Sequence, residues 1–230
     1  MKLCMFHPND NPMERGWVGR VDGDRVLHLA AQTLQSFFLG GGGAREHAQY
    51  ALDEVTLLVP VLYPPTVRVF ESQATFAFGN PAAVYGPGAA AVPPPGASAL
   101  TLGPRVAAVI GAEGAIGGFS LYAEWREPGR PAPKDRDFCV ALGPVVATPD
   151  ELDASAIEVR VRVDGDERLQ GSLGGFGWEP AVRLAADGTT LRPGDLIVSP
   201  TAGELDGLDR WTTVELDAAG IGVLATAVTG

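Results

Sequence analysis

Residues 157–163 read Ile-Glu-Val-Arg-Val-Arg-Val, and the turn sequence Asp164-Gly165-Asp166 follows them. Apolar and charged side chains alternate here with a period of two, which is typical of a β-strand with one buried face. Asp-Gly between apolar runs is typical of a hairpin turn. This stretch therefore predicts a β-hairpin, and with it a fold rich in β-structure.

Further apolar runs bounded by turn residues predict more strands on both sides of this hairpin. Of the 230 residues, 30 are Gly and 19 are Pro, a content that favours many turns and short strands over long helices. The predicted strands are residues 18–20, 25–29, 106–110, 196–199, 212–216 and 222–228, and the single predicted helix of the second half is 178–186.

The first 55 residues predict a small N-terminal α/β subdomain, and residues 56–230 predict one β-rich domain. Two helices are expected over residues 30–38 and 44–52, because four consecutive glycines, residues 40–43, separate two otherwise helical stretches. The Pro-rich residues 87–95 are expected to form an ordered, extended loop rather than a linker.

Charge and hydropathy exclude several classes of partner. The net charge is −11, which argues against nucleic acid or an anionic membrane as the main partner. No run approaches 18 apolar residues, and the N-terminal apolar run is too short for a signal peptide, so we expect a cytoplasmic protein. Cys4 and Cys139 are too far apart in sequence for a disulfide framework or a zinc knuckle, and they predict two small buried residues.

Several segments, taken in order along the chain, resemble the fumarylacetoacetate hydrolase superfamily. The resemblance implies a mostly β, α+β fold in which a mixed, rolled β-sheet surrounds one cleft, and a homodimer. The segments are Phe78-Gly79-Asn80-Pro81, Tyr85-Gly86-Pro87-Gly88, residues 106–111, Gly117-Gly118-Phe119-Ser120 with Glu124-Trp125, residues 133–138, residues 142–144 and 148–152, residues 163–165, residues 191–195 and residues 220–224.

The resemblance also implies a divalent cation held by a Glu-x-Glu pair and a third carboxylate, and this chain departs from that pattern. Gly103 and Arg105 stand at the two Glu positions, and Glu124 stands at the third. One carboxylate does not form a cage for Mg²⁺, so we expect no metal ligands and no cofactor, although Mg²⁺ or Mn²⁺ stays open. The general base of the family is often a histidine, and the matching residues 67–75 contain none.

The remaining polar groups give the candidate site. By the resemblance, Lys134 and Glu124 are candidate catalytic residues: an ammonium that binds a substrate oxygen, and an acid or base. A structural ion pair between Glu124 and Arg105 and an exposed loop position for Lys134 are the alternatives. Candidate substrate-binding residues are Arg105, Arg68, Glu71, Gln73, Tyr85, Trp125 and Thr201, although core packing is an alternative for the two aromatic side chains.

Three functions remain open. The first is a metal-independent biosynthetic enzyme that cyclises, dehydrates, isomerises or decarboxylates a dicarbonyl or polyketide-like small molecule, in a bacterial setting suggested by the use of Arg over Lys. The second is a non-catalytic binding or partner subunit. The third is a metal-dependent hydrolase of 2-oxo or 1,3-dioxo acids, with Glu71 and Glu113 as shifted ligands. A deep pocket around Lys134, Glu124 and Arg105 would favour an enzyme. A cleft filled by side chains would favour a non-catalytic partner subunit.

Overall fold

Strands make up most of the regular structure in the computed structural model, which describes residues 1–229. No helix within those residues has both the length and the apolar character needed to cross a bilayer. The strands are β1 (Lys2–Pro8), β2 (Trp17–Asp22), β3 (Arg25–Leu29), β4 (Glu46–Ala51), β5 (Val55–Leu58), β6 (Val67–Ser72), β7 (Thr75–Phe78), β8 (Val84–Tyr85), β9 (Ala90–Ala91), β10 (Leu100–Ile110), β11 (Ile116–Arg126), β12 (Val140–Ala147), β13 (Glu158–Val163), β14 (Asp166–Ser172), β15 (Leu196–Val198), β16 (Leu205–Leu208), β17 (Thr213–Ala218) and β18 (Gly222–Val228), and the helices are α1 (Leu34–Leu39) and α2 (Trp178–Ala186).

The hairpin predicted from residues 157–166 is confirmed as β13 and β14. Val159 and Val161 are fully buried, whereas Glu158 and Arg160 between them are exposed. The period of two in the sequence therefore matches the two faces of this strand.

The strands form two sheets, as the predicted mostly β fold requires. Among residues 1–229, the larger sheet contains 13 strands along the order β4-β3-β2-β1-β12-β11-β10-β15-β6-β7, with β5, β8 and β16 paired beside that path. The smaller sheet contains five strands in the order β14-β13-β17-β18-β9. Strands β1 to β4 lie in the larger sheet because β1 pairs with β12, and the division at residue 55 stays a prediction.

The predicted helix over residues 44–52 is wrong. Residues 46–51 form β4, which pairs antiparallel with β3. Strand β3 offers unpaired backbone N–H and C=O groups at its edge. Hydrogen bonding to these groups outweighs the local helix propensity of Ala and Glu in this segment. The first predicted helix is shorter than expected: α1 begins at Leu34, where Thr33 and Ser36 form a capping box.

Two apolar layers cover the two faces of the larger sheet. The main layer lies between the sheets, with Val106 and Ala108 from β10 and Val161 from β13. A second layer, on the other face, contains Ala107 and the helix residue Phe37. Since β10 is buried along its whole length, a charged residue within it needs partners inside the protein.

Candidate functional site

The pairing of β10 with β11 brings Arg105 and Glu124 together. Gly103 lies opposite Glu124, and Arg105 lies opposite Tyr122. Arg105 and Glu124 are therefore diagonal neighbours on one face of the sheet. The ion pair between them, one of the two alternatives from the sequence, is present: Nη2 of Arg105 lies 3.0 Å from Oε2 of Glu124.

Every N–H group of the Arg105 guanidinium faces an oxygen atom. Nε donates to Glu124 Oε2 at 3.1 Å, and Nη1 donates to the carbonyl oxygens of Phe70 and Ser199 at 3.0 and 2.9 Å. Nη2 faces Glu124 on one side and Oε2 of Glu71 on the other, the latter at 3.5 Å. With only 1% of its side chain exposed, Arg105 is a buried cation with five directed donors and five acceptor contacts.

Arg105 and Glu124 form the inner end of a row of ion pairs that reaches the surface, which we call the charge chain. Glu71, at the end of β6, bridges Arg105 and Arg136 through its two oxygens. Beyond Arg136, carboxylates and guanidinium groups continue to alternate. In order, the members are Glu124, Arg105, Glu71, Arg136, Asp135, Arg126 and Glu204.

The pKa values of two chain members reflect this alternation. Partial burial acts to raise the pKa of the Glu71 carboxyl, but the charges of Arg105 and Arg136 and the hydrogen bond from Arg136 outweigh it. The pKa of Glu71 is therefore lowered, and its carboxylate is ionised at neutral pH. Burial acts to lower the pKa of Arg136, and Glu124, Glu71 and Asp135 together raise it.

Thr201 and Gln73 line one cavity of about 240 Å³, beside the inner end of the charge chain. Oγ1 of Thr201 and Oε2 of Glu124 lie 3.5 and 3.6 Å from the point where a Cβ on Gly103 would sit. Gln73 uses both ends of its amide on Gly177, accepting from its N–H at 2.7 Å and donating to its carbonyl at 3.1 Å. Gln73 thus ties the β6–β7 turn to the loop before α2, and the loop residues 172–176 complete the cavity wall.

Four other candidate residues lie outside this group of contacts. Lys134 is 69% exposed and pairs with Asp137 at 2.6 Å. Arg68 is buried, pairs with Asp195 at 3.7 Å and lies over the ring of Phe78. Tyr85 is exposed on β8, and Trp125 is fully buried in the main core, where Nε1 donates to Thr226 Oγ1 at 3.2 Å.

Larger cavities within residues 1–229, with volumes of about 380 to 560 Å³, are lined by other parts of the chain. Neither Arg105 nor Glu124 lines any of these or the cavity beside Thr201. The inner end of the charge chain is therefore filled by its own side chains, and the nearest groups that solvent reaches are Glu71, which is 47% exposed, and Arg136, which is 20% exposed.

The donor set does not fit the divalent cation that the resemblance implies. No group of three or more His, Cys, Asp or Glu side chains in residues 1–229 has a geometry that could hold a metal ion. Glu124 is the only carboxylate at the three implied positions, and its Oε2 already accepts from Nε of Arg105 at 3.1 Å and lies 3.0 Å from Nη2. A guanidinium in this position repels a second cation, so the residues present do not fit the implied metal ion.

The sequence did not point to Arg136 and Asp135 as candidate site residues. They lie directly after Lys134, in the segment 133–138, which is one of the segments that carry the resemblance. Arg136 is 20% exposed and contacts both Glu71 and Asp135, whereas Lys134 turns to solvent. The signal was the cluster of alternating charge Lys134-Asp135-Arg136-Asp137, which does not reveal which cation faces the site.

Comparison with known proteins finds a family match in the second half of the chain and a common fold over its whole length. Residues 122–229 match the family described as fumarylacetoacetate (FAA) hydrolase C-terminal. No curated protein sequence matches the chain significantly.

Several solved structures share the architecture over the whole chain. A fumarylacetoacetate hydrolase from Exiguobacterium antarcticum superposes with a TM-score of 0.84 at 18% identity, covering 100% of this chain and 99% of that one. A 5-carboxymethyl-2-hydroxymuconate delta-isomerase from Mycobacterium smegmatis gives a TM-score of 0.81 at 21% identity, with the same coverage. A maleylpyruvate hydrolase from Sphingobium sp. SYK-6, in complex with manganese(II) and pyruvate, gives 0.77 at 20% identity, again covering 100% and 99%. At these identities, the likeness shows the fold.

Proposed function

We propose that this chain is a member of the fumarylacetoacetate hydrolase superfamily and a small-molecule metabolic enzyme that works without a divalent metal ion. Its proposed substrates are small oxo or dicarbonyl acids. The observation that carries this proposal is the Arg105 guanidinium, which is buried against Glu124 where the resemblance places the metal.

Arg105 and Arg136 are the groups that would stabilise negative charge in such a reaction. Both guanidinium groups contact the same carboxylate, Glu71, so the region around that carboxylate is held between two fixed cations. A substrate carboxylate or an enolate oxygen placed there would meet a preorganised positive field. Arg105 is fixed by Glu124 and by the carbonyls of Phe70 and Ser199, so it needs no rearrangement to act.

Glu71 is the accessible base of this arrangement. Its carboxylate is half-exposed and ionised, and it lies at the turn next to the cavity that Gln73 and Thr201 line. A carboxylate of this kind can accept a proton from the carbon next to an oxo group, while the two guanidinium groups hold the oxygen on which charge develops. This chemistry is common to isomerisation, dehydration and decarboxylation of oxo acids.

Proton exchange in D₂O tests the proposal directly. Chelator-treated protein is incubated with a panel of 2-oxo and 1,3-dioxo acids in the presence of EDTA, and exchange at the carbon next to the oxo group is followed by NMR. We expect exchange with at least one member of the panel, and its loss in Arg136→Ala. A folded protein that exchanges and turns over no member of the panel would overturn the assignment.

Metal titration tests the second half of the proposal. The wild-type protein should give no binding heat with Mg²⁺ or Mn²⁺ in a calorimeter. The matched control is the double variant Gly103→Glu with Arg105→Glu, which installs a Glu-x-Glu pair opposite Glu124 and should gain a Mn²⁺ site. Tight one-site binding by the wild type would contradict metal independence, whether or not the double variant folds.

A specific observation also favours a second candidate, a non-catalytic binding or partner subunit. Glu124 and Arg105 are at most 2% exposed, and Lys134 is engaged by Asp137 at the surface. Glu124 and Lys134, the two residues that the sequence offered for catalysis, are thus not presented in a cleft. The absence of exchange in a protein that still binds the oxo acids would support this candidate.

A further inference from the structure

We propose that Glu71 is a built-in occupant of a carboxylate-binding site formed by Arg105 and Arg136, and that an external small carboxylate binds by displacing it. This inference deepens the proposed function, because it names the group through which that site takes its ligand. It concerns binding alone and requires no turnover.

The first argument is the way in which Glu71 bridges the two cations. Oε1 of Glu71 contacts Nη1 of Arg136, and Oε2 contacts Nη2 of Arg105. One carboxylate thus spans two guanidinium groups from different elements, β10 and the loop before β12. The same bridging geometry suits any small carboxylate, because guanidinium donors match carboxylate oxygens in charge and shape.

The second argument is that Glu71 is weakly held on the Arg105 side. Its contact with Nη2 is 3.5 Å long, beyond the usual length of a charge-assisted hydrogen bond, whereas the other acceptors of Arg105 lie at 2.9 to 3.1 Å. The last N–H of a fully buried cation therefore has a poor partner. A ligand that is not tethered to β6 can approach it more closely.

The third argument is that Glu71 can leave without opening the protein. Its side chain is 47% exposed and lies at the end of β6, next to the turn to β7. The carboxylate end of both ion pairs is half-exposed, so water can solvate Glu71 when it rotates away from the two guanidinium groups. Arg105 cannot follow, because Glu124 and two backbone carbonyls hold it, and the vacated position keeps its charge.

The chain offers a close control for this argument in Glu204. Its carboxylate is 46% exposed and accepts from a single arginine, Arg126, at 2.8 Å. Glu204 thus resembles Glu71 in exposure and in partner type, but it bridges no second, buried cation. Removal of Glu204 should leave no carboxylate site.

Acetate rescue tests the inference. The substitution Glu71→Ala removes the CH₂–COO⁻ end of the side chain, and acetate has the size of the removed piece. Binding of acetate is measured by calorimetry, and thermal stability is compared in sodium acetate and sodium chloride at equal ionic strength. We expect Glu71→Ala to bind acetate at least tenfold more tightly than the wild type, and to melt at a higher temperature in acetate than in chloride.

The control variants decide the interpretation. Glu204→Ala should show no difference between acetate and chloride, and adding Arg136→Ala to Glu71→Ala should abolish the gain. If Glu71→Ala does not fold, Glu71→Gln keeps the shape without the charge and should show the same tenfold gain. Equal acetate affinity in the wild type and in the folded Glu71 variant would overturn the inference. Acetate binding without proton exchange would uphold it and contradict the proposed enzyme.

Discussion

Replacing Arg105 with Met should be among the most damaging single changes in this protein. The change leaves the carboxylate of Glu124 buried without a cation, and it removes the donor that faces the carbonyls of Phe70 and Ser199. Removing one partner of a buried ion pair costs about 3–5 kcal/mol in the free energy of unfolding. In a chain of this size, such a loss lowers the melting temperature by about 6–20 °C.

Urea denaturation of a double-mutant cycle separates the ion pair from the packing around it. The cycle compares the wild type, Arg105→Met, Glu124→Leu and the double variant. We expect the double variant to be more stable than the sum of the single losses predicts, because no buried charge then lacks a partner. A residual loss of about 1–3 kcal/mol for each orphaned carbonyl should remain, because Met donates to neither oxygen.

Arg105→Lys refines the same prediction. It keeps the positive charge but offers three donors from one atom, whereas Arg105 faces five acceptor contacts in a plane. The free energy of unfolding of Arg105→Lys should fall between those of the wild type and Arg105→Met. Unchanged urea midpoints in both Arg105 variants would refute the reasoning, since they would mean that Glu124 is not held by this cation.

Three further changes probe the surroundings of the pair. Because the pKa of Glu71 is lowered in the folded state, its charge stabilises the fold at pH values above 4.5, its ordinary pKa, and this stability is lost as the pH falls through the lowered pKa of the folded state. Urea midpoints of the wild type and Glu71→Gln should therefore differ at pH 7 and converge as the pH falls below 4.5. Thr226→Val should cost about 1–3 kcal/mol in a thermal unfolding assay, because it leaves the Nε1–H of the buried Trp125 without its acceptor. Lys134→Ala should change the free energy of unfolding by less than about 0.5 kcal/mol, because its ion pair with Asp137 is at the surface; a larger loss would place Lys134 in a packed structural contact.

Local sequence patterns predicted most strands correctly, but they predicted a helix over residues 44–52, where the structure has strand β4. The alternation in residues 157–163 and the apolar residues 106–110 and 222–228 each lie in strands of the structure, since burial of one or both faces imposes its own period. The segment 46–51 has no such period, and its strand depends on the free edge of β3. Strand β3 is separated from this segment by the residues of α1 and its loops, so a short stretch of sequence around 46–51 does not reveal the pairing.

The ion pair was accessible from the sequence because the family resemblance aligned Arg105 with a metal-ligand position and Glu124 with another. The charge chain was not accessible from the sequence, because its members come from β6, β10, β11 and two loops. Lys134 illustrates the limit: four charged residues in a row share one neighbourhood, and only the turn geometry of residues 131–136 decides that Arg136 contacts Glu71.

Gly103 and Arg105 act together beside Glu124, because a side chain at position 103 would contact the ion pair of Arg105. A Cβ at position 103 would lie 3.9 Å from Nε of Arg105 and 3.6 Å from Oε2 of Glu124, so any longer side chain there would press on the ion pair. The charge chain has four carboxylates and three guanidinium groups, an excess of one negative charge within the described residues. Glu at both positions would leave six carboxylates against two guanidinium groups, an excess that a divalent cation would have to offset. Glu at position 103 alone would place a carboxylate beside Arg105 and create another ion pair. The Gly103→Glu single variant should therefore bind no Mn²⁺, and the gain of metal binding should require both changes together.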